Sequence, residues 1–533
     1  MSKSEEKPTD TQIERVESVH SRDSPAANDD LSFKEFSEKD ENKKKNIFVR
    51  FKDSIYSKPE KRQNAWHLLT NLTNTQRITF AAVSLSATRI GKDFFLILDI
   101  ANLTKANQNI YPAEDFGVQP SDVTSAITTT LMLRPIGALI FGALADKYGR
   151  RWPLMIDIVL FSVINMASGF APNLQTFIGL RAVFGIAMGG EWGLGASLAL
   201  EALPVEARGL FSGIYQEGYA CGYLLATLVN YAVVETGSSW RILFWVGAGF
   251  AILAVIIRIW VPESETFEEQ QRARKILGRS LWTETKLAVR NHWVRMIYMV
   301  ILMAFMNFFS HGSQDLYPTF LLKSLGYTPT QQTVTNVIMN IGAICGGTIF
   351  GYLSNYFGRR LILCVCAICA GAFIPLWIYA PNIYSLQFGA FVMQFFVQGG
   401  WGVIPAHINE LSPAAFRGLI PGLAYQLGNL ISAASSQIEA TIGERYPLKN
   451  GDGSLKLDAH GKAIPDYGLT QAIFMGCVCG GLLITTLIGK EERNKDFKQN
   501  LAEDQTGHGA IGPADVKANE IEQGHERTSE DST

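Results

Sequence analysis

The amino-acid sequence predicts an all-α membrane protein: twelve transmembrane helices arranged as two six-helix halves. Three observations carry that prediction. Apolar runs long enough to cross a bilayer recur through the middle of the chain. Basic residues gather in alternate loops. A block of sequence from the first half returns in the second at a fixed offset.

The 533 residues carry 47 Lys+Arg against 49 Asp+Glu, a net charge of −2, with 47% hydrophobic residues and a mean hydropathy of +0.10. That balance offers no electrostatic footprint for nucleic acid. All 7 cysteines fall in apolar stretches; Cys364, Cys366 and Cys369 sit in LILCVCAICAGAF without a neighbouring His or carboxylate. They read as small apolar fillers, and no metal site or disulfide framework is expected. No paired catalytic acids, Ser/His/Asp set, phosphate loop or metal-ligand spacing stands outside the apolar runs, so the chain is not expected to be an enzyme, and no cofactor is expected.

Residues 1–70 are polar and read as a disordered cytoplasmic tail, as does 491–533. A hydrocarbon core of about 30 Å takes roughly 20 helical residues. Runs of that kind lie near 124–146, 153–171, 175–200, 209–235, 242–261, 296–322, 333–354, 361–380, 384–408, 417–441 and 470–489. A first span near 78–100 is harder to read, because it contains Arg89, Lys92, Asp93 and Asp99, each costing ~2.5–3.5 kcal/mol at a bilayer centre.

Arg150 and Arg151 follow the 124–146 run, and Arg359 and Arg360 follow 333–354. The loop 262–291 carries Arg272, Arg274, Lys275, Arg279, Lys286 and Arg290. By the positive-inside rule these loops face the cytoplasm, and with the first span counted both tails do as well. The loop at 442–468, with four basic residues, is an exception on the other side.

GALADKYGRR at 142–151 returns as GYLSNYFGRR at 351–360, an offset of 351 − 142 = 209. Trp192, Glu201, Pro204, Arg208, Gly209 and Gly213 map onto Trp401, Glu410, Pro413, Arg417, Gly418 and Gly422 at the same offset. The expected plan is therefore a half at 71–261, a basic linker at 262–291 and a half at 292–490.

Six spans plus six, with a GxLxDxxGRR loop after the second span of each half, resembles the major facilitator superfamily. The first loop fits at Gly142, Leu144, Asp146, Gly149, Arg150 and Arg151; the second has Asn355 where the acid usually stands. The resemblance implies that these loops, with Arg359 and Arg360, gate the cytoplasmic side. Topology marking and helix capping are the plainer role.

Polar residues inside a span are expensive and call for a reason. At 100° per residue, Asn307, Ser310, His311, Gln314 and Asp315 fall within an arc of about 140°, a stripe suited to a water-filled cavity or to a helix–helix seam. Asn307 to Thr319 also fits N-x-x-[ST]-H-x-[ST]-Q-D-x-x-x-T at every specified position. That run is similar to the fungal Jen-type carboxylate:proton symporters of the sialate:H+ symporter branch. GGEWGLGASLALE at 189–201, RGLFSGIYQEGYACGY at 208–223 and LAYQLGN at 423–429 point the same way. The run at 87–95 departs from that family except at Asp93, Phe94 and Phe95. It reads either as a span lined for function or as a wrongly translated exon junction.

The resemblance implies proton-coupled symport of short-chain carboxylates, lactate and pyruvate or succinate and malate, at the plasma membrane, with the proton co-transported. Two arginines agree on sign. Arg134 and Arg181 lie within spans, and their repeat positions are Ala343 and Ala390, so neither charge is a requirement of the fold. A guanidinium grips a carboxylate in a two-point fork. Arg134, with Asn307, Ser310, His311, Gln314, Gln216 and Gln426, is the expected substrate set. His311, Asp315, Arg181 and Glu217 are the expected proton-coupling set. For Arg181 a structural salt bridge with Glu191 or Glu217 is the competing role. Other functions on the same plan are a carrier of a sugar or sialate and a non-transporting nutrient sensor. Expected partners are the substrate, H+ and the lipid bilayer, and the tails are available to regulatory or trafficking proteins.

Overall fold

The computed structural model describes residues 64–81 and 116–493, apart from single positions, pairs and short stretches such as 260–262, 273–280 and 458–462. The expected first span at 78–100, with Arg89, Lys92 and Asp93, lies almost wholly outside the described residues, as do most of the two tails.

After a short helix at Ala65–Thr70, the N-terminal half runs through α1 (Pro120–Tyr148), α2 (Arg151–Ser168), α3 (Leu174–Met188), α4 (Glu191–Glu201), α5 (Arg208–Glu235) and α6 (Arg241–Ile259). The C-terminal half follows with α7 (Leu281–Gln314), α8 (Pro329–Phe357), α9 (Arg359–Ile378), α10 (Ile383–Leu411), α11 (Ile420–Ser432), α12 (Ser435–Arg445) and α13 (Tyr467–Ile488). Seven helices among the described residues are long and apolar enough to cross a membrane by length and composition alone. Large apolar side chains such as Met132, Ile136, Leu139 and Ile140 on α1 are exposed. Their spacing of three and four puts them on one helix face, where a bilayer would cover them.

Three details differ from the sequence reading. The 175–200 run is two helices meeting at Gly189–Gly190, and the 417–441 run is two helices meeting at Ala433–Ala434. The last part of the expected linker, from Leu281, already belongs to α7.

The repeat governs local structure. Asn173 caps α3 by accepting from Thr176 N at 2.8 Å, and Asn382, 209 residues on, caps α10 by accepting from Ser385 N at 2.9 Å. Such a cap satisfies a backbone N–H that the first helical turn leaves open. Gly149 and Gly358 occupy equivalent positions with φ of 101° and 99°, a left-handed backbone that a residue with a Cβ rarely adopts. Helices pack backbone to backbone at small residues: a Cβ at Gly137 would lie 1.8 Å from the Ile186 carbonyl oxygen, and one at Gly346 would lie 1.9 Å from that of Phe395. The halves meet where α5 packs on α8 and α1 on α11.

Candidate functional site

Elements of both halves enclose a cavity of about 430 Å3 of empty space, including the part open to solvent. Arg134 on α1 and Gln216 and Tyr219 on α5 line it from the N-terminal half. Asn307, Ser310 and His311 on α7 line it from the other half, with Gln398 and Trp401 on α10 and Tyr425 and Asn429 on α11. Trp192 and Trp401, equivalent in the repeat, flank Tyr425 at ring-centroid distances of 4.5 and 5.9 Å. The result is one buried guanidinium, an aromatic wall and a polar stripe in a single concave space.

On the stripe, His311 Nδ1 lies 3.0 Å from Asp315 Oδ2, the meeting that an i, i+4 spacing allows. The other ring nitrogen belongs to a chain whose orientations are fixed from its far end. The Gly189 carbonyl can only accept, so Gln426 turns its Nε2 to it at 3.2 Å. Gln426 then offers Oε1 to Asn429 Nδ2 at 3.1 Å, and Asn429 turns its Oδ1 toward His311 Nε2 at 3.5 Å. His311 Nε2 is therefore the donor, and a proton is shared between Nδ1 and the Asp315 carboxyl. Either an imidazolium faces a carboxylate or a neutral imidazole faces a carboxylic acid. Asp315 Oδ1 has no hydrogen-bond partner among the described residues. The chain also crosses the halves, because Gln426 belongs to the C-terminal half and Gly189 to the N-terminal half; there Gly189 packs against α1, a Cβ on it lying 2.1 Å from the Arg134 carbonyl oxygen.

Other expected residues are placed differently. Gln314 leaves the cavity for a seam, donating to Gln394 Oε1 at 2.7 Å while Gln394 donates to Ser313 Oγ at 2.9 Å. Gln426 serves through Asn429 and is not among the lining residues. Arg181 is buried within the N-terminal half, donating to Asn165 Oδ1 and Ser168 Oγ at 3.0 Å each, with its guanidinium 3.9 Å from the Phe184 ring centre. Glu217 lies where α5 meets α8, with Oε1 pressed toward Gly347. Gln216 accepts from Trp192 Nε1 at 3.4 Å. Asn307 donates to the Tyr425 carbonyl at 3.4 Å.

At the end of the molecule that carries the GRR loops, contacts across the halves repeat with the same offset. Asp146, one helical turn below Gly142, accepts from Gly418 N at 3.1 Å and Leu419 N at 3.2 Å, beside the start of α11. Asn355 accepts from Gly209 N at 3.0 Å, at the start of α5, and donates to the Glu206 carbonyl at 2.6 Å. Arg150 pairs with Glu201 at 3.2 Å, and Arg359 meets both oxygens of Glu410 at 3.1 and 3.0 Å. Arg151 donates to the Ile259 carbonyl at 2.7 Å, and Arg360 to the Leu487 carbonyl at 2.6 Å. Glu263 accepts from the backbone of Arg150 and Arg151, and Glu491 from that of Arg360. Burial raises the Glu491 carboxyl above its ordinary range against the lowering effect of that backbone bond.

Sequence reasoning missed Tyr219, Gln398, Trp401, Tyr425 and Asn429 as lining residues. Trp401 stood in the repeat block, and Tyr425 and Asn429 in YQLGN, so a signal was present for those three. Glu201 and Glu410 were visible only as repeat positions.

The chain matches the family model of the sugar (and other) transporters over residues 77–500. It is 35% identical over 404 residues to a carboxylic acid transporter protein homolog of Saccharomyces cerevisiae, covering 72% of this chain and 64% of that one; it thus spans just under two thirds of that relative's length. It is 26% identical over 415 residues to the sialic acid transporter NanX of Escherichia coli, covering 77% and 93%. Among solved structures it resembles the proton:xylose symporter XylE bound to 6-bromo-6-deoxy-D-glucose, a major facilitator protein. The TM-score is 0.61 at 19% identity, over 81% of this chain and 99% of that one. At that identity the likeness shows the fold.

Proposed function

From membership of the sugar (and other) transporter family, to which this chain belongs, we propose that it is a proton-coupled symporter of short-chain carboxylates working by alternating access. One observation carries the reading: the buried Arg134 guanidinium lines the same cavity as His311, whose Nδ1 lies 3.0 Å from the Asp315 carboxyl. A guanidinium suits an anion with a planar, two-oxygen head. An imidazole–carboxyl pair suits a proton that comes and goes. A sugar site has no need of a cation within the membrane, which costs about 2.5–3.5 kcal/mol or more to place there.

In the proposed cycle, substrate and proton enter from the side opposite the GRR loops. Protonation of the His311–Asp315 pair leaves Arg134 to hold the substrate carboxylate. The two halves then rock about the cavity. The paired contacts at Asp146 and Asn355 part, and substrate and proton leave at the GRR end. An anion moving into a negative interior works against about 2.3 kcal/mol per charge per 100 mV, and a co-transported proton cancels one such charge. On this reading the membrane is the plasma membrane and both tails are cytoplasmic.

The test is uptake of labelled lactate and labelled succinate, each in competition with the other, in cells lacking their own carrier. Carboxylate uptake that Arg134→Lys weakens sharply at normal surface abundance is expected, because Lys keeps the charge and loses the fork. Uptake of neither acid, with uptake of a sugar instead, would overturn the reading. So would wild-type kinetics in Arg134→Lys.

A further inference from the structure

A second carboxyl group, that of Glu439, lies beside the His311–Asp315 pair. Glu439 on α12 is fully buried, and neither oxygen has a hydrogen-bond partner among the described residues. Leaving a buried charge without any partner is among the most costly arrangements a protein can hold. A neutral, protonated Glu439 avoids most of that cost.

Two glycines mark the close packing around it. At Gly312 on α7 a Cβ would lie 2.6 Å from the Phe474 ring and 3.2 Å from Glu439 Oε1, so the carboxyl sits close against the helix backbone there. Gly312 is three residues from Asp315 and therefore on the same side of α7. The two carboxylates are near enough to repel each other when both are charged. On the other flank, a Cβ at Gly443 would lie 2.6 Å from the Tyr467 ring. Gln471 on α13 is another buried side chain whose two polar atoms lack hydrogen-bond partners among the described residues. The titratable group acting on Glu439 is Asp315, just past the end of α7, with His311 behind it; Tyr467 on α13 has Glu444 as its acidic neighbour. α7 and α12 both run away from the GRR loops, so Glu439 lies on the far side of the cavity from them.

We propose that Glu439 is a proton-relay residue that passes a proton to Asp315 from the side of the membrane opposite the GRR loops. No hydrogen bond joins the two carboxyls, so the step runs through a bridging water: the Glu439 O–H bond breaks with its electron pair staying on Glu439, the water takes that proton, and one of the water's own protons passes to Asp315 Oδ1, the oxygen without a partner. Glu439 is then recharged by a hydronium ion from the aqueous phase. This deepens the carrier reading and rests on it for its role in transport, though not for the protonation itself.

The test uses the purified full chain and dicyclohexylcarbodiimide, which modifies protonated carboxyls in apolar surroundings, with the site read by peptide mass spectrometry. Glu439 is expected to label at acid pH and to lose labelling as pH rises. In Asp315→Asn, with the neighbouring charge removed, that loss should move to lower pH. Absence of labelling at Glu439, or labelling whose pH profile ignores Asp315→Asn, overturns the proposal. In cells, Glu439→Gln should flatten the rise of carboxylate uptake between neutral and acid medium, and Glu439→Asp should restore part of it. A wild-type pH profile in Glu439→Gln also overturns the relay. Should Glu439→Gln fail to reach the membrane, the labelling of the unaltered residue decides. Should the unaltered chain show no proton-driven uptake while Glu439 labels as described, the carrier reading falls and the protonation site stands.

Discussion

Replacing Asp146 with Ala should open the GRR end of the molecule, and more widely than the same change at Asn355. Asp146 accepts two backbone N–H bonds from across the halves, at 3.1 and 3.2 Å, and also lies 3.8 Å from Arg150. Hydrogen bonds to a charged group contribute about 1.5–3 kcal/mol each. Two of them bias the closed arrangement by roughly 3 kcal/mol at the low end, about a hundredfold in an equilibrium constant at tenfold per 1.4 kcal/mol. Asn355 makes one such bond as acceptor and one as donor, both neutral, at 3.0 and 2.6 Å. At about 0.5–1.5 kcal/mol each, their loss shifts the balance by roughly tenfold. The assay is a distance distribution by electron–electron resonance between spin labels at Tyr148 and Ile488, both exposed, in a chain whose cysteines have been replaced. The long-distance population should grow strongly in Asp146→Ala and modestly in Asn355→Ala, with Asp146→Asn between. An unchanged distribution in Asp146→Ala, or equal opening by the two alanine variants, would refute the reasoning.

Three further outcomes follow from the same structure. Asp315→Asn should abolish concentrative carboxylate uptake, whereas a merely bracing role would instead remove the protein from the membrane; surface abundance and accumulation measured together tell them apart. Arg359→Ala strands Glu410, which is buried at the GRR end, and should cost about 3–5 kcal/mol, visible as a large drop in the melting temperature of the purified protein. Gly346→Ala places a Cβ 1.9 Å from the Phe395 carbonyl oxygen, so α8 and α10 must separate at about 1–3 kcal/mol; unaltered thermal stability would contradict that packing.

Much of this architecture is legible in the chain because it depends on patterns within one helix or on the repeat. Apolar runs, the GRR loops and the caps at Asn173 and Asn382 are local signals. The His311–Asp315 contact follows from a spacing of four. What a side chain meets on another helix does not follow from spacing. Arg181 and Arg134 look alike in sequence, each charged where its repeat partner is Ala. Helix rotation sends one to Asn165 and Ser168 and the other to the cavity. Gln314 shares the stripe of His311, yet its longer side chain reaches Gln394. Glu439 is invisible for the same reason. On α12 it is one acid in SSQIEATIGER, and only the packing of Gly312 against it shows that it is buried beside Asp315.

The most direct test of proton-coupled carboxylate symport is proton movement with the purified chain in liposomes, read by a pH-sensitive dye inside. Adding succinate or lactate outside, with no imposed pH gradient and the membrane potential clamped, should acidify the interior, and Asp315→Asn should abolish the signal. Labelled carboxylate entering at the same rate with no acidification would contradict the account.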